Sequence, residues 1–304
     1  MALPSHRRAE NAPGDLFVDD GCIACDVCRQ LAPETFGGAD DDLAFVARQP
    51  LDASARRRAL HALVSCPVAA IGAGAKVGIR EAARAFPLEF LPGVLRCGYA
   101  DEATFGAMAW LLRRPDGNVL VDAPRFAGPL VERIRALGGV RWLFLTHRDD
   151  VGDHARWRAA FGCERLLHTR DVGPGTGDVE RQLDGDAPIP LAADLLAVPV
   201  PGHTAGSMAL LAGERYLFTG DHLWGDAAGR LTASPHVCWY DWGEQARSVE
   251  KLADLPFQWV LPGHGRPWQV TPPATIRGTM RSLAAAMQRA RGRARPAAPD
   301  QPLV

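Results

Sequence analysis

Four of the seven cysteines stand in a pattern that can hold metal: Cys22, Cys25 and Cys28 at CxxCxxC spacing, and Cys66 far downstream, followed at once by Pro67. Three thiolates in one tight loop each reach a different iron of one cubane, loop amides donate to its sulfurs, and a cysteine from elsewhere in the fold takes the fourth iron. The competing reading is a four-cysteine zinc site, which more often pairs two separated CxxC groups than a triplet plus one. The other three, Cys97, Cys163 and Cys238, have no motif around them and are expected to be small buried apolar residues.

Where a two-cluster ferredoxin would place a further ligand, in the run CxxCxxCxxxCP, this chain has Ala32 followed by Pro33. The frame therefore resembles a single-cluster ferredoxin, which implies one [4Fe-4S] cluster on Cys22, Cys25, Cys28 and Cys66.

Further along, four apolar runs end in loops rich in His or Asp: WLFLTHRDDVGDH, LLAVPVPGHTAGS, YLFTGDH and WVLPGHG. In an α/β fold, strand ends can gather such loops along one edge, which is the convergence a metal site requires. These strings resemble the metallo-β-lactamase superfamily over about Phe105 to Trp268. The family's first motif is HxHxDH, a later His follows, then a bridging Asp and a last His. The first His matches His147, the paired Asp and His match Asp153 and His154, and the later His matches His203 in GHTAGS, similar to the GHTPGS of glyoxalase II-like members. The bridging Asp matches Asp221 and the last His matches His264.

The resemblance implies an αββα sandwich holding two divalent ions, zinc or iron: one on His147 and His203, the other on Asp153, His154 and His264, with Asp221 between them. The chain departs from the pattern in HRDDVGDH, where Asp149 stands in place of the second His and the spacing to Asp153 and His154 is two residues longer. Asp149 is taken as a ligand, with Asp150 or a water as the alternative. A carboxylate oxygen is harder than an imidazole nitrogen, so the change moves preference toward iron or manganese. Flavodiiron members similarly carry a carboxylate at that position.

Two metals a few ångströms apart make hydrolysis the expected chemistry, with a bridging hydroxide as nucleophile and Asp149 or Asp153 orienting it or moving its proton. The glyoxalase II-like string leans toward a small ester, thioester or lactone. The alternative is a di-iron oxidoreductase fed by the cluster, since hydrolysis needs no electrons. A small-molecule substrate is expected either way, and a redox partner protein if the cluster carries electrons. His222 either orients a ligand or packs, the group VCWYDW (237–242) either walls a pocket or packs, and His61, His168 and His236 receive no role.

The elements that must position these groups follow from periodicity. LDASARRRALHALVSC has Leu51, Leu60, Leu63 and Val64 at helical spacing, which puts Cys66 just past a helix. The chain is α/β: a small α+β ferredoxin domain (14–75), a connector (76–104), the sandwich (105–270), with a hairpin turn at Asp116–Gly117, and a C-terminal helix with a flexible tail (271–304). Thirty-four basic residues against thirty-five acidic ones leave no field favouring nucleic acid or an anionic membrane. No stretch approaches the roughly 18 apolar residues of a membrane span, so a cytoplasmic protein is expected.

Overall fold

Around the cysteines the chain runs β1 (Leu16–Val18), α1 (Val27–Leu31), β2 (Phe36–Gly38), β3 (Ala44–Val46), α2 (Ala53–Ser65) and β4 (Ile71–Ala73). This computed structural model describes residues 2–75, 77–270 and 275–290. Strand β1 pairs antiparallel with β4, and β2 with β3. Helix α2 starts where Asp52 caps it by accepting from Ala55 N at 2.8 Å, a contact of about 1 kcal/mol. Leu51, expected on the helix's buried face, therefore lies outside it and is 81% exposed. The last turn delivers Cys66 as the C-cap, and Ala59 and Ala62 seal a core with Leu16, Val18, Phe36 and Val46.

The stretch expected to be a connector is structured. It holds α3 (Ile79–Ala85), β5 (Leu88–Leu91) and β6 (Val94–Arg96), ahead of β7 (Trp110–Leu112) and β8 (Val119–Val121). β5 through β8 form an antiparallel meander in which Arg96 pairs with Trp110 and Leu112 with Val119. Its strands are only three or four residues long, too short for an alternating pattern to declare itself. The Asp116–Gly117 turn closes the β7–β8 hairpin with Gly117 at φ +115°. Next come α4 (Gly128–Ala136), β9 (Trp142–Phe144) and α5 (His154–Phe161).

The chain divides into two compact units, Met1–Leu143 with Asp150–Glu164, and Phe144–Asp149 with Arg165–Val304. In the second, β10 (Glu164–His168) runs parallel to β11 (Arg181–Leu183). There follow β12 (Ile189–Ala192), β13 (Leu195–Pro199), β14 (Met208–Ala212), β15 (Tyr216–Gly220), the ribbon β16 (Trp224–Gly225) and β17 (Leu231–Thr232), α6 (Trp242–Leu252), β18 (Trp259–Pro262), β19 (Trp268–Gln269) and α7 (Ile276–Ala290). Strands β12–β13–β14–β15–β18–β19 form one sheet, antiparallel except for β15 with β18. That single parallel pair, crossed over by α6, decides the site. β13, β15 and β18 all point the same way, so the loops that follow them leave from one edge.

The apolar faces of α6 and α7 cover this sheet, with Trp242, Ala246 and Val249 against Met280, Ala284 and Met287, and Trp242 Nε1 donating to Met287 O at 2.9 Å. The expected C-terminal helix is thus α7; the tail 291–304 lies outside the described residues. No helix among the described residues is long and apolar enough to cross a membrane.

Candidate metal centre

Two donor sets have to be judged, and in the first unit it is the cysteines. Cys22, Cys25, Cys28 and Cys66 line one pocket with Val18, Ala44 and Ile71. Ala24 and Asp26 take left-handed φ values of +59° and +63°, which curls the CIACDVC loop around it. Ala44 N donates to Cys22 Sγ at 3.4 Å and Ala70 N to Cys66 Sγ at 3.3 Å. Burial, reinforced by the neighbouring cysteines, pushes the Cys25 thiol up to about 12 and raises Cys28 and Cys66 as well. Buried thiols such as Cys25, Cys28 and Cys66 need a cationic centre to hold them as thiolates. The residues fit an iron–sulfur cluster. Ala32, where a second cluster's ligand would stand, is fully buried in the apolar core.

In the second unit the common edge gathers the other set. His147 follows β9 through Leu145 and Thr146, whose carbonyl accepts from Met208 N at 2.7 Å. His203 sits in the β13–β14 loop, Asp221 directly follows β15 and His264 follows β18. One oxygen of Asp221 is 3.9 Å from Nε2 of both His147 and His203 and 2.8 Å from His264 Nδ1. His203 Nε2 lies 3.3 Å from Asp149 Oδ2, and donor atoms of His147, Asp149 and His203 all fall within 4.8 Å of one another. Ligands about 2.0–2.2 Å from one ion sit roughly 3–3.5 Å apart, so the trio needs little adjustment to share one.

The electrostatics agree. His203 Nδ1 donates to Val237 O at 2.5 Å, which leaves Nε2 as the lone-pair nitrogen aimed at the carboxylates. His203 Nε2 and Asp149 Oδ2 are both buried and have only each other, at 3.3 Å, so the two face one small volume that a cation could share. Burial, helped by His203, drags His147 down to about 4, so its ring stays neutral. Burial also pulls on His203, but Asp149 and Asp221 outweigh it and raise its pKa. Burial opposes ionisation of Asp149 and Asp221, and the surrounding histidines overcome it, holding both below the usual carboxylate range. His147 and the two carboxylates are thus in the forms that bind divalent metals, and on His203 a dication would replace the proton that Asp149 and Asp221 favour, so this set fits as well.

Close backbone approaches make the geometry possible. Gly220 has φ +49°, and a Cβ there would lie 2.3 Å from Thr146 Oγ1. Asp171 is the residue that no motif announced. Buried to 2% exposure, it accepts from Arg148 N at 3.0 Å, Thr204 Oγ1 at 2.5 Å and Gly206 N at 2.8 Å, stapling the His147 loop to the GHTAGS loop. Its signal is the Thr204 and Gly206 of GHTAGS, whose hydroxyl and amide require a buried acceptor. Of VCWYDW, Trp242 is core, whereas Trp239 and Tyr240 are 54% and 53% exposed. Both of their amides donate to His203 O, and the Trp239 ring lies 6.2 Å from the His203 ring. His222 is buried beside Asp221 with both ring nitrogens lacking a hydrogen-bond partner.

Asp153 and His154 belong to the first unit, at the start of α5. One Asp153 oxygen accepts from Phe126 N at 2.7 Å and lies 3.4 Å from Arg156. His154 is buried, as is Asp150.

Family comparison matches residues 18–73 to the 4Fe-4S single cluster domain of Ferredoxin I and residues 99–285 to the Metallo-beta-lactamase superfamily. No curated protein matches the chain. Among solved structures, a metallo-beta-lactamase from Erythrobacter litoralis, with beta mercaptoethanol in its active site, superposes at TM-score 0.50 and 19% identity, over 66% of this chain and 95% of that one. The mono-zinc form of FIM-1 from Pseudomonas aeruginosa gives 0.48 at 18% identity (65% and 93%), and a metallo-beta-lactamase from Hirschia baltica 0.48 at 19% (65% and 96%). At such identity the likeness speaks for the fold alone.

Proposed function

The chain belongs to the metallo-beta-lactamase superfamily, and from that membership we propose a metal-dependent hydrolase that cleaves a small ester, thioester or lactone. The observation that carries the proposal is the convergence of His147, Asp149 and His203 on one point. In this reading those three, with Asp221 beside them, would hold one divalent ion, and Asp153 and His154 would ligate a second. Bound there, the ions supply Lewis acidity, lowering the pKa of water and polarising the scissile carbonyl. The chain's own groups do the rest. Asp149, ionised and partly solvent-accessible, takes the proton of the attacking water, and Asp221 keeps His264 oriented through Nδ1. Trp239 and Tyr240 flank His203 and contact the substrate's apolar part.

One finding favours a second reading, a di-iron oxidoreductase: the matched ferredoxin domain, which hydrolysis does not need. In that case a redox partner protein supplies electrons.

The deciding experiment is metal analysis of anaerobically purified protein together with a panel of esters, thioesters and lactones offered without reductant. Turnover is expected, and Asp149→Asn should lower kcat by about 10²–10⁴. Two irons beyond the cluster's own, with no hydrolysis of any panel member, would sink the proposal.

A further inference from the structure

Gly106 has φ +89°, and a Cβ built on it would fall 2.7 Å from Cys25 Cβ, 3.2 Å from Cys25 Sγ and 3.3 Å from Pro67 Cγ. Its backbone therefore lies flat against one cysteine of the cluster cradle and against the proline that follows another. Gly106 closes a turn that is braced internally: Gly106 N donates to Asp101 O at 2.9 Å, Phe105 N to Glu102 O at 3.0 Å, Ala107 N to Thr104 O at 3.1 Å, and Ala103 N to Asp101 Oδ1 at 3.0 Å. Such a turn moves as one piece.

The far side of the same turn touches the HRDDVGDH motif. A Cβ on Gly152 (φ +39°) would meet Thr104 Cγ2 at 3.3 Å, Asp101 Oδ2 at 3.5 Å and Ala123 O at 2.9 Å. Gly152 immediately precedes Asp153 and His154, and Asp153 is itself pinned by Phe126 N. Among the described residues, then, one rigid turn is packed on a cluster cysteine and on the loop carrying two proposed metal ligands. All of these groups lie in the first unit. Close-packed interiors transmit displacement of this kind, because there is no free volume to absorb it.

We infer that the Asp101–Ala107 turn couples the cluster cradle to the Gly152–His154 loop, so that the state of the cluster sets the metal affinity of the second site. This rests on the reading of Asp153 and His154 as ligands. With the cluster in place Cys25 is fixed, Gly106 is seated, and Thr104 holds Gly152. When an oxidant destroys the cluster the cradle loosens and the ligand loop loses its backing. The fused domain thereby makes the metal centre responsive to oxidants, a role that asks for no electron transfer between the two.

Two single substitutions, each read at the opposite end, test the coupling in the full-length, cluster-loaded chain. Gly152→Ala displaces the metal loop against Ala123 O and Thr104, and its readout is the cluster's visible absorbance and its lifetime in air. Gly106→Ala presses on Cys25, and its readout is the Co²⁺ dissociation constant from the d–d spectrum. We expect Gly152→Ala to shorten the cluster's lifetime severalfold, and oxidative removal of the cluster from the unsubstituted chain to weaken Co²⁺ binding by about fivefold or more, the lower end of coupling between sites. If Gly106→Ala fails to fold, the other two measurements still decide. A Gly152→Ala cluster with unaltered lifetime, and Co²⁺ affinity unchanged within twofold on cluster loss, overturns the coupling and leaves the metal centre standing. Absence of Co²⁺ binding to the intact chain overturns the metal centre, and this inference with it.

Discussion

Replacing Asp171 with alanine should weaken metal binding without removing a single ligand. Its carboxylate is the only group among those described that takes hydrogen bonds from both Arg148 N, next to His147, and Thr204 Oγ1, next to His203. Charge-assisted bonds of this kind contribute about 1.5–3 kcal/mol each, and a stranded buried donor costs about 1–3 kcal/mol. Thr204 Oγ1 can turn to Ser207 Oγ, already 2.8 Å away, so two amides are left stranded, those of Arg148 and Gly206. The net loss should be about 3–5 kcal/mol, or roughly 6–20 °C in Tm for a domain of this size. Metal affinity should fall about 10- to 100-fold, as it does when groups behind the ligands are removed. Asp171→Asn keeps one acceptor oxygen but turns an NH2 toward a backbone N–H, so it should fall between alanine and the native residue. Differential scanning fluorimetry and Co²⁺ titration read both effects. If Asp171→Ala keeps its Tm and binds Co²⁺ as tightly as the unsubstituted chain, the stapling argument is wrong.

Two other outcomes are expected. Burial, together with Arg57, lowers the pKa of His61, whose ring packs edge-on against Phe86 at 5.3 Å. Its folded value thus lies below the unfolded one of about 6.5, the unfolded chain binds the proton more readily, and stability present above that pH is lost as pH falls through the window beneath it. His61→Leu should flatten this acid limb in equilibrium denaturation at a series of pH values; an unchanged slope would assign the limb to another group. Trp239→Ala should raise KM for aryl esters by about fivefold to tenfold, the worth of one aromatic contact, with kcat and Co²⁺ affinity unchanged. Equal KM values for the two proteins would place the substrate elsewhere.

The parts of the site visible in the sequence are those in which residue type alone carries the chemistry. CxxCxxC with a distant Cys-Pro, GHTAGS, FTGD and LPGHG each mark a strand or helix end, and the structure does put His203, Asp221 and His264 after β13, β15 and β18. What stayed hidden are contacts that depend on two distant segments meeting. Asp171 is an ordinary residue in an ordinary loop until Thr204 and Gly206 reach it. Gly106 and Gly152 read as turn glycines, and only the packing reveals what each is pressed against. The β5–β6 hairpin is hidden for a different reason: its three- and four-residue strands give periodicity nothing to count.

Asp149 is where sequence and structure bear on each other most. As a departure from HxHxDH it looks like a loss, yet its Oδ2 sits closer to His203 Nε2, at 3.3 Å, than Asp221 Oδ2 does, at 3.9 Å. A histidine in its place would have added a third neutral nitrogen to His147 and His203. The carboxylate instead adds a second negative charge beside Asp221, and both stay ionised against burial, Asp149 through His203, His147 and Arg148, Asp221 through His264, His147 and His203. Asp149 with His147 and His203 neutralises more of a dication's charge than three imidazoles would and suits a harder ion. Asp149→His should therefore move the metal preference from iron toward zinc, measurable as the ratio of the two metals retained after competition for the site of His147 and His203. An unchanged ratio would mean that Asp149 acts on protons alone.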